Sequence, residues 1–252
     1  MLTHPTLEKL KALRLNGMAK AYEEQLQMND IDDLSFDDRF GLLVDREATE
    51  KDNKRLQTRL RKAKFAQSAC VEELDLKSRR GLDRTLSEKL IGCDWIGERL
   101  NLIATGSTGV GKSYLACALG QKACREGYTV EYNRAPRLFP ELHLAKGDGR
   151  YETILRRIAK TDLLIIDDFG LHSMNDEARH DCLELIEDRC GKRSTLVTSQ
   201  IPLDQWFKVI GDPTLADAIL DRLVHNAYKV DLKGESMRKR TARRRKDLTE
   251  KS

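Results

Sequence analysis

Apolar residues in the first part of the chain recur mostly at intervals of three and four: Leu7, Leu10, Met18, Tyr22 and Leu26. That spacing gathers side chains onto one face of a helix, and Gly17 within it predicts two short helices in place of one. A second helical block is predicted to open at Ser35, whose hydroxyl can cap the first turn while Asp38 reaches back to the Ser35 N–H. Phe36, Phe40, Leu43 and Val44 then share a face, and the block is predicted to run through Leu56 and Leu60 to about Lys64. Residues 1–68 therefore read as a small all-helical domain whose apolar faces have only its own helices to cover.

After the polar stretch from Asp75 to Arg84 the pattern changes. NLIAT, YTVEYN, DLLIID, STLVTS and AYKVDL are short apolar runs, each followed by a predicted helical segment. Strands alternating with helices predict an α/β domain with a parallel sheet over residues 69–252. A basic stretch from about residue 235 is too charged to be buried.

The first of these strands, Asn101 to Thr105, runs into Gly106-Ser107-Thr108-Gly109-Val110-Gly111-Lys112-Ser113 and then the helical run opened by Tyr114. This is GxxxxGK[ST] in its strand, loop, helix setting. Glycines let backbone N–H groups turn inward around phosphate oxygens, and the helix N-terminus adds partial positive charge at the same place. Residues 106–114 are thus expected to bind ATP, with Lys112 on the β/γ-phosphates and Ser113 as a ligand of Mg2+. A bare turn between strand and helix has no need of Lys and Ser after its last glycine.

Some fifty residues on, Leu163-Leu164-Ile165-Ile166-Asp167-Asp168 is an apolar strand ending in two acids. A carboxylate at the C-terminal end of a buried strand faces the ligand crevice, so Asp167 suits the Mg2+ shell and Asp168 the attacking water. Alone, the pair could equally be an Asp-rich turn.

Hydrophobic residues at 40% and charged residues at 34% support a core beneath a densely charged surface and exclude disorder throughout. The net charge of +4 is concentrated in RLRKAK (Arg59 to Lys64) and in MRKRTARRRK, which points to a polyanion. Six cysteines lie without CxxC or metal-ligand spacing, as free thiols of a reducing cytoplasm would. No run is long enough to span a bilayer and the start lacks a signal-peptide pattern, so a cytoplasmic protein with no membrane partner is expected.

GSTGVGKS, LLIIDDFG, TSQIPLDQW, ADAILDRLVHNAY and GESMRKR together resemble the IstB family, insertion-sequence ATP-binding helpers related to the DnaC helicase loader. LRLNGMAKAYEEQL and DREATEKDNKRLQTRLRKAKF extend the resemblance over nearly the whole chain. It implies a P-loop AAA+ core with strand order 5-1-4-3-2 and ATP-dependent self-assembly on double-stranded DNA, with handover of a remodelled target to a partner transposase. It further implies Gln200, or else Ser199, as the sensor of the γ-phosphate. Arg222 would be an arginine finger reaching a neighbouring subunit, and Arg238 a second sensor on the same subunit's ATP. Their planar, always-charged forks suit phosphate oxygens; the plain readings are an ion pair with Asp221 for Arg222 and membership of the basic tail for Arg238. Many AAA+ enzymes have Glu where Asp168 stands, and the missing methylene implies slow hydrolysis.

For DNA, the candidates are Arg55, Arg59, Arg61, Lys62 and Lys64 on the helical block, and Lys239, Arg240, Arg243, Arg244, Arg245 and Lys246 in the tail. Such contacts are salt-sensitive and sequence-blind; the bland alternatives are a solvated helix face and a solubilising tail. No base-reading motif is present. A helicase loader acting on single strands, a small-molecule kinase and an architectural DNA binder remain alternatives at this point.

Overall fold

The computed structural model describes residues 4–28, 31–74 and 81–237. They form α1 (Pro5–Ala12), α2 (Asn16–Gln25), α3 (Phe36–Ala63), α4 (Arg84–Gly92), α5 (Asp94–Gly97), β1 (Asn101–Gly106), α6 (Lys112–Arg125), β2 (Val130–Arg134), α7 (Ala135–Gly147) and α8 (Tyr151–Lys160). There follow β3 (Leu163–Phe169), α9 (Asp176–Arg189), β4 (Ser194–Ser199), α10 (Trp206–Ile210), α11 (Pro213–Val224) and β5 (Ala227–Leu232). Contacts divide the chain into two compact units, Met1–Thr58 and Arg59–Ser252, so the division falls inside α3, whereas the sequence alone suggested residue 68.

In the first unit the expected break at Gly17 is displaced. Arg14 has φ 60° and the chain turns there, between α1 and α2, while Gly17 lies in the first turn of α2. A Cβ on Gly17 would stand 2.7 Å from the Arg46 carbonyl oxygen, so this glycine serves the close approach of α2 to α3 and not helix termination. Beside it, Glu47 Oε2 accepts the N–H groups of Gly17 at 2.7 Å and Met18 at 3.1 Å, two of the donors that a helix start leaves unpaired. Burial raises the Glu47 pKa, but those bonds and Lys51 outweigh it and hold the carboxyl below its usual value. At the start of α3, the Asp38 N–H donates to Ser35 Oγ at 3.2 Å, and the Ser35 hydroxyl donates to the Asp38 carboxylate at 2.6 Å. The carboxylate thus meets the hydroxyl where the sequence suggested the N–H. Phe36 and Phe40 stack at 6.0 Å and are 70% and 49% exposed, so the apolar face expected to be covered is open over the first turns of α3.

In the second unit all five strands are parallel, in the order β2-β3-β4-β1-β5, which is 5-1-4-3-2 read from the other edge. Leu163, Leu164 and Ile165 are fully buried, as an unbroken apolar run must be when helices cover both faces of a parallel sheet. Each such side chain contributes about 1.5–3 kcal/mol on burial. At the end where the strands begin, buried Arg189 donates to the carbonyls of Ile158, Thr161 and Ser194, tying α8, α9 and β4 together. Burial lowers its pKa to about 10, with Arg193 adding to the effect, and the guanidinium stays charged at neutral pH. Four of the six cysteines are buried and Cys190 is exposed, all of them free. Among the described residues no helix is long and apolar enough to cross a membrane.

Candidate functional site

β1 delivers its last residue, Gly106, at φ 142°, and Gly109 and Gly111 follow at 85° and 105° before α6 begins at Lys112. Side chains at the first two would collide with β5 and the segment after it: a Cβ on Gly106 would lie 2.2 Å from the Leu232 carbonyl oxygen, and one on Gly109 2.4 Å from Ser236 Oγ. The Met237 N–H donates to the Gly109 carbonyl at 2.8 Å, so the segment after β5 is seated on the loop. These glycines therefore make room for β5 and the segment after it, at positive φ that side chains rarely adopt.

Lys112 is buried, and its ammonium donates to the carbonyls of Gly106 at 2.7 Å and Ser107 at 2.9 Å. Burial lowers its pKa, against the opposing pull of Asp168 and Asp167. The Ser113 hydroxyl donates to Asp167 Oδ1 at 3.0 Å. The hydroxyl of Tyr132 donates to Asp167 Oδ2 at 2.5 Å, and that of Thr198 to Oδ1. Burial, then the bond to Asp167, pushes the Tyr132 phenol far up. Val110, within the loop, is buried, and the Tyr114 hydroxyl donates to Glu73 at 2.5 Å.

The pairing of β3 with β4 shifts register between Ile166 and Phe169, across the two acids. A shift of this kind re-aims side chains at a strand end, and Asp168 adopts φ 60° there, a conformation that aspartate tolerates better than most residues. Its N–H donates to Thr198 Oγ1 at 3.1 Å. Its carboxylate is not free: Arg134 meets Oδ2 through Nη2 at 2.6 Å and Nε at 3.1 Å. A cleft of about 360 Å³ between α7 and the segment after β3 opens beside Asp168, walled by Pro136, Phe139, Pro140, Leu171 and Met174.

Gln200 Oε1 accepts the Thr108 hydroxyl at 2.6 Å, which brings it to the loop. The Ser199 hydroxyl donates instead to the Phe169 carbonyl at 2.7 Å, on the other face of β4. Arg222 pairs with Glu187 at 2.8 Å, not with Asp221, and donates to the Ala218 carbonyl. Its own carbonyl accepts Asn101 Nδ2 at 3.2 Å, at the start of β1, so its backbone lies roughly 17 Å of strand away from Gly106. Arg238 lies outside the described residues, as do Lys239, Arg240, Arg243, Arg244, Arg245 and Lys246. Of the basic residues on α3 and just after it, Arg55 pairs with Asp52 at 3.1 Å, while Arg61, Lys62 and Lys64 are exposed. Arg59 is committed elsewhere: Nε donates at 2.8 Å to the Cys124 carbonyl at the end of α6, which it caps.

Sequence reasoning missed Tyr132, Arg134 and Thr198. A signal was available in period two, since Tyr132 and Arg134, two residues apart, fall on one side of β2. What arrives at this end of the sheet is a glycine loop on a helix N-terminus, a buried lysine and two acids. Ser113 and Asp167 are hard oxygen donors of the kind Mg2+ takes, so the donor set fits that ion.

Residues 8–245 match the family of IstB-like ATP binding proteins. An insertion sequence ATP-binding protein of Sinorhizobium fredii, y4pL, is 52% identical over 244 residues, covering 97% of this chain and all of the other. The ATP-binding protein of insertion sequence IS21 from Pseudomonas aeruginosa is 30% identical over 240 residues, 95% of this chain and 91% of the other. Among solved structures, the DnaC helicase loader superposes with a TM-score of 0.54 at 19% identity, over 66% of this chain and 97% of that one, a likeness of fold alone.

Proposed function

Because the chain belongs to the family of IstB-like ATP binding proteins and has their AAA+ fold, we propose that it is the ATP-hydrolysing, DNA-binding helper of a transposase. It assembles with copies of itself on double-stranded target DNA, remodels it and stimulates insertion. The observation that carries the nucleotide half is the meeting of Ser113 with Asp167 at 3.0 Å, beside a buried Lys112 on a glycine loop.

In this reading the inward N–H groups of residues 106–113 and the start of α6 hold the phosphates of ATP. Lys112 leaves the carbonyls of Gly106 and Ser107 for the β- and γ-phosphates, an exchange of acceptors that keeps the buried ammonium paired. Ser113 and Asp167 hold Mg2+, which supplies positive charge against the phosphate oxygens when bound. Asp168 orients the attacking water once its carboxylate is released by Arg134, and Gln200 reaches the γ-phosphate from just beyond β4. The short side chain and the ion pair at Asp168 both favour slow turnover, suited to a switch.

Arg222 supports assembly. Standing by the start of β1, it is remote from the loop of its own chain and suits the nucleotide of a neighbour. Arg238 directly follows Met237, whose N–H is bonded to Gly109, and this adjacency supports its part as a second sensor. The exposed Arg61, Lys62 and Lys64, with the basic tail, supply phosphate contacts to duplex DNA.

The test is ATPase rate and sedimentation with ATP, alone and with duplex or single-stranded DNA, for wild type, Lys112→Ala and Arg222→Ala. Large assemblies that need ATP and duplex, and that both substitutions weaken, are expected. A response to single strands only would favour a loader of helicases, and no response to any DNA would remove the nucleic-acid half.

A further inference from the structure

Tyr132 stands on β2, the outermost strand of the sheet, and has no part in the reaction above. We propose that Tyr132 is a positioning residue that fixes the Asp167 carboxylate for Mg2+, an inference that rests on the reading of Lys112, Ser113 and Asp167 as a nucleotide site. Its hydroxyl donates to Asp167 Oδ2 at 2.5 Å, and the residue is only 6% exposed. The other oxygen, Oδ1, receives Ser113 at 3.0 Å and the Thr198 hydroxyl.

An aspartate carboxylate turns readily about its last bond, because that torsion is broad. Holding Oδ1 alone leaves the plane of the group undetermined. With Oδ2 taken from β2 and Oδ1 from β4 and α6, the plane is set by three different elements, and Oδ1 is the oxygen turned to the Ser113 hydroxyl. In register, Tyr132 lies opposite Ile165, so its long ring reaches along β3 to the carboxylate two residues further on.

The chemistry of the donor matters as much as its place. A neutral hydroxyl orients the carboxylate without cancelling its charge, whereas Lys or Arg at position 132 would compete with the cation for that charge. Arg134, two residues along, does pair its charge, but with Asp168 and not with the Mg2+-binding acid. A buried hydrogen-bond partner of a metal-binding carboxylate typically changes metal affinity by about 10–100-fold when lost.

The experiment follows binding of a fluorescent ATP analogue to the full chain by anisotropy, in EDTA and at rising Mg2+, for wild type and Tyr132→Phe. The expected result is unchanged affinity in EDTA and a Mg2+ midpoint raised about 10–100-fold in the variant. An unchanged midpoint overturns the proposal. So does a loss of affinity that is equal with and without Mg2+, which marks a purely structural tyrosine. If wild type binds the analogue neither in EDTA nor with Mg2+, the nucleotide reading falls and the proposal with it; if wild type binds but gains nothing from Mg2+, or if the variant responds equally, only the proposal falls. Should Tyr132→Phe fold poorly, 3-fluorotyrosine at position 132 keeps the ring and makes its hydroxyl a stronger donor. A shifted Mg2+ midpoint then supports the proposal and an unmoved one overturns it.

Discussion

An aspartate in the left-handed region carries its carboxylate on a single methylene, and at Asp168 an arginine holds that carboxylate at 2.6 Å. If Asp168 orients the attacking water as proposed, lengthening it by one methylene brings the base nearer to that water. Asp168→Glu is therefore expected to raise steady-state ATP turnover by about 10-fold, equivalent to ~1.4 kcal/mol of barrier. Unchanged or reduced turnover with ATP binding intact would count against slow hydrolysis being a matter of reach. The aspartate was legible in the sequence because an apolar run ending in acids is a local pattern. Arg134 was not, because its partner lies on the next strand and only pairing of β2 with β3 brings them together.

Helix α2 starts without a capping side chain of its own, and the acid that answers its first N–H groups comes from the middle of α3. Glu47→Ala is expected to lower the stability of the N-terminal unit by about 1 kcal/mol, the usual worth of a cap, as read by urea unfolding. The carboxyl's folded pKa lies below its ordinary 4.5, so its contribution is present above that value and lost as pH falls through the folded one. The gap between wild type and Glu47→Ala should accordingly close on acidification. At the end of α3 the basic residues divide by role. Replacing exposed Arg61, Lys62 and Lys64 with glutamine is expected to make the log–log slope of duplex affinity against salt shallower by about 2.7. Arg59→Gln should instead cost stability, since it uncaps α6, and leave that slope unchanged. Gly17 shows why such assignments exceed sequence reading: a glycine in a helical pattern looks like a break, and only the passing Arg46 backbone reveals why a side chain is excluded.

Taken as a whole, the strands were readable in advance because short runs of strand-forming residues alternate with helical segments, and all five runs became strands; their order followed from the family resemblance and is the one observed. The glycine loop was readable because its residues are contiguous. Less visible was the approach of residues 232–236 to that loop, where Leu232 and Ser236 occupy the space that side chains at Gly106 and Gly109 would need. That contact spans more than a hundred residues and leaves no periodic trace.

Arg222 and Lys112 sit at opposite ends of β1. If the arginine completes a neighbour's site, a chain lacking Lys112 can still lend its arginine, and a chain lacking Arg222 can still offer its loop. Two preparations inactive on their own, Lys112→Ala and Arg222→Ala, should regain part of the wild-type ATPase when mixed under assembling conditions. The regained rate should peak near equal proportions, whereas no rescue at any ratio would mean that each chain works with its own arginine or with none. Activity would then be inherited by pairs of neighbours, and one defective copy would silence a different site according to which end of its strand was damaged.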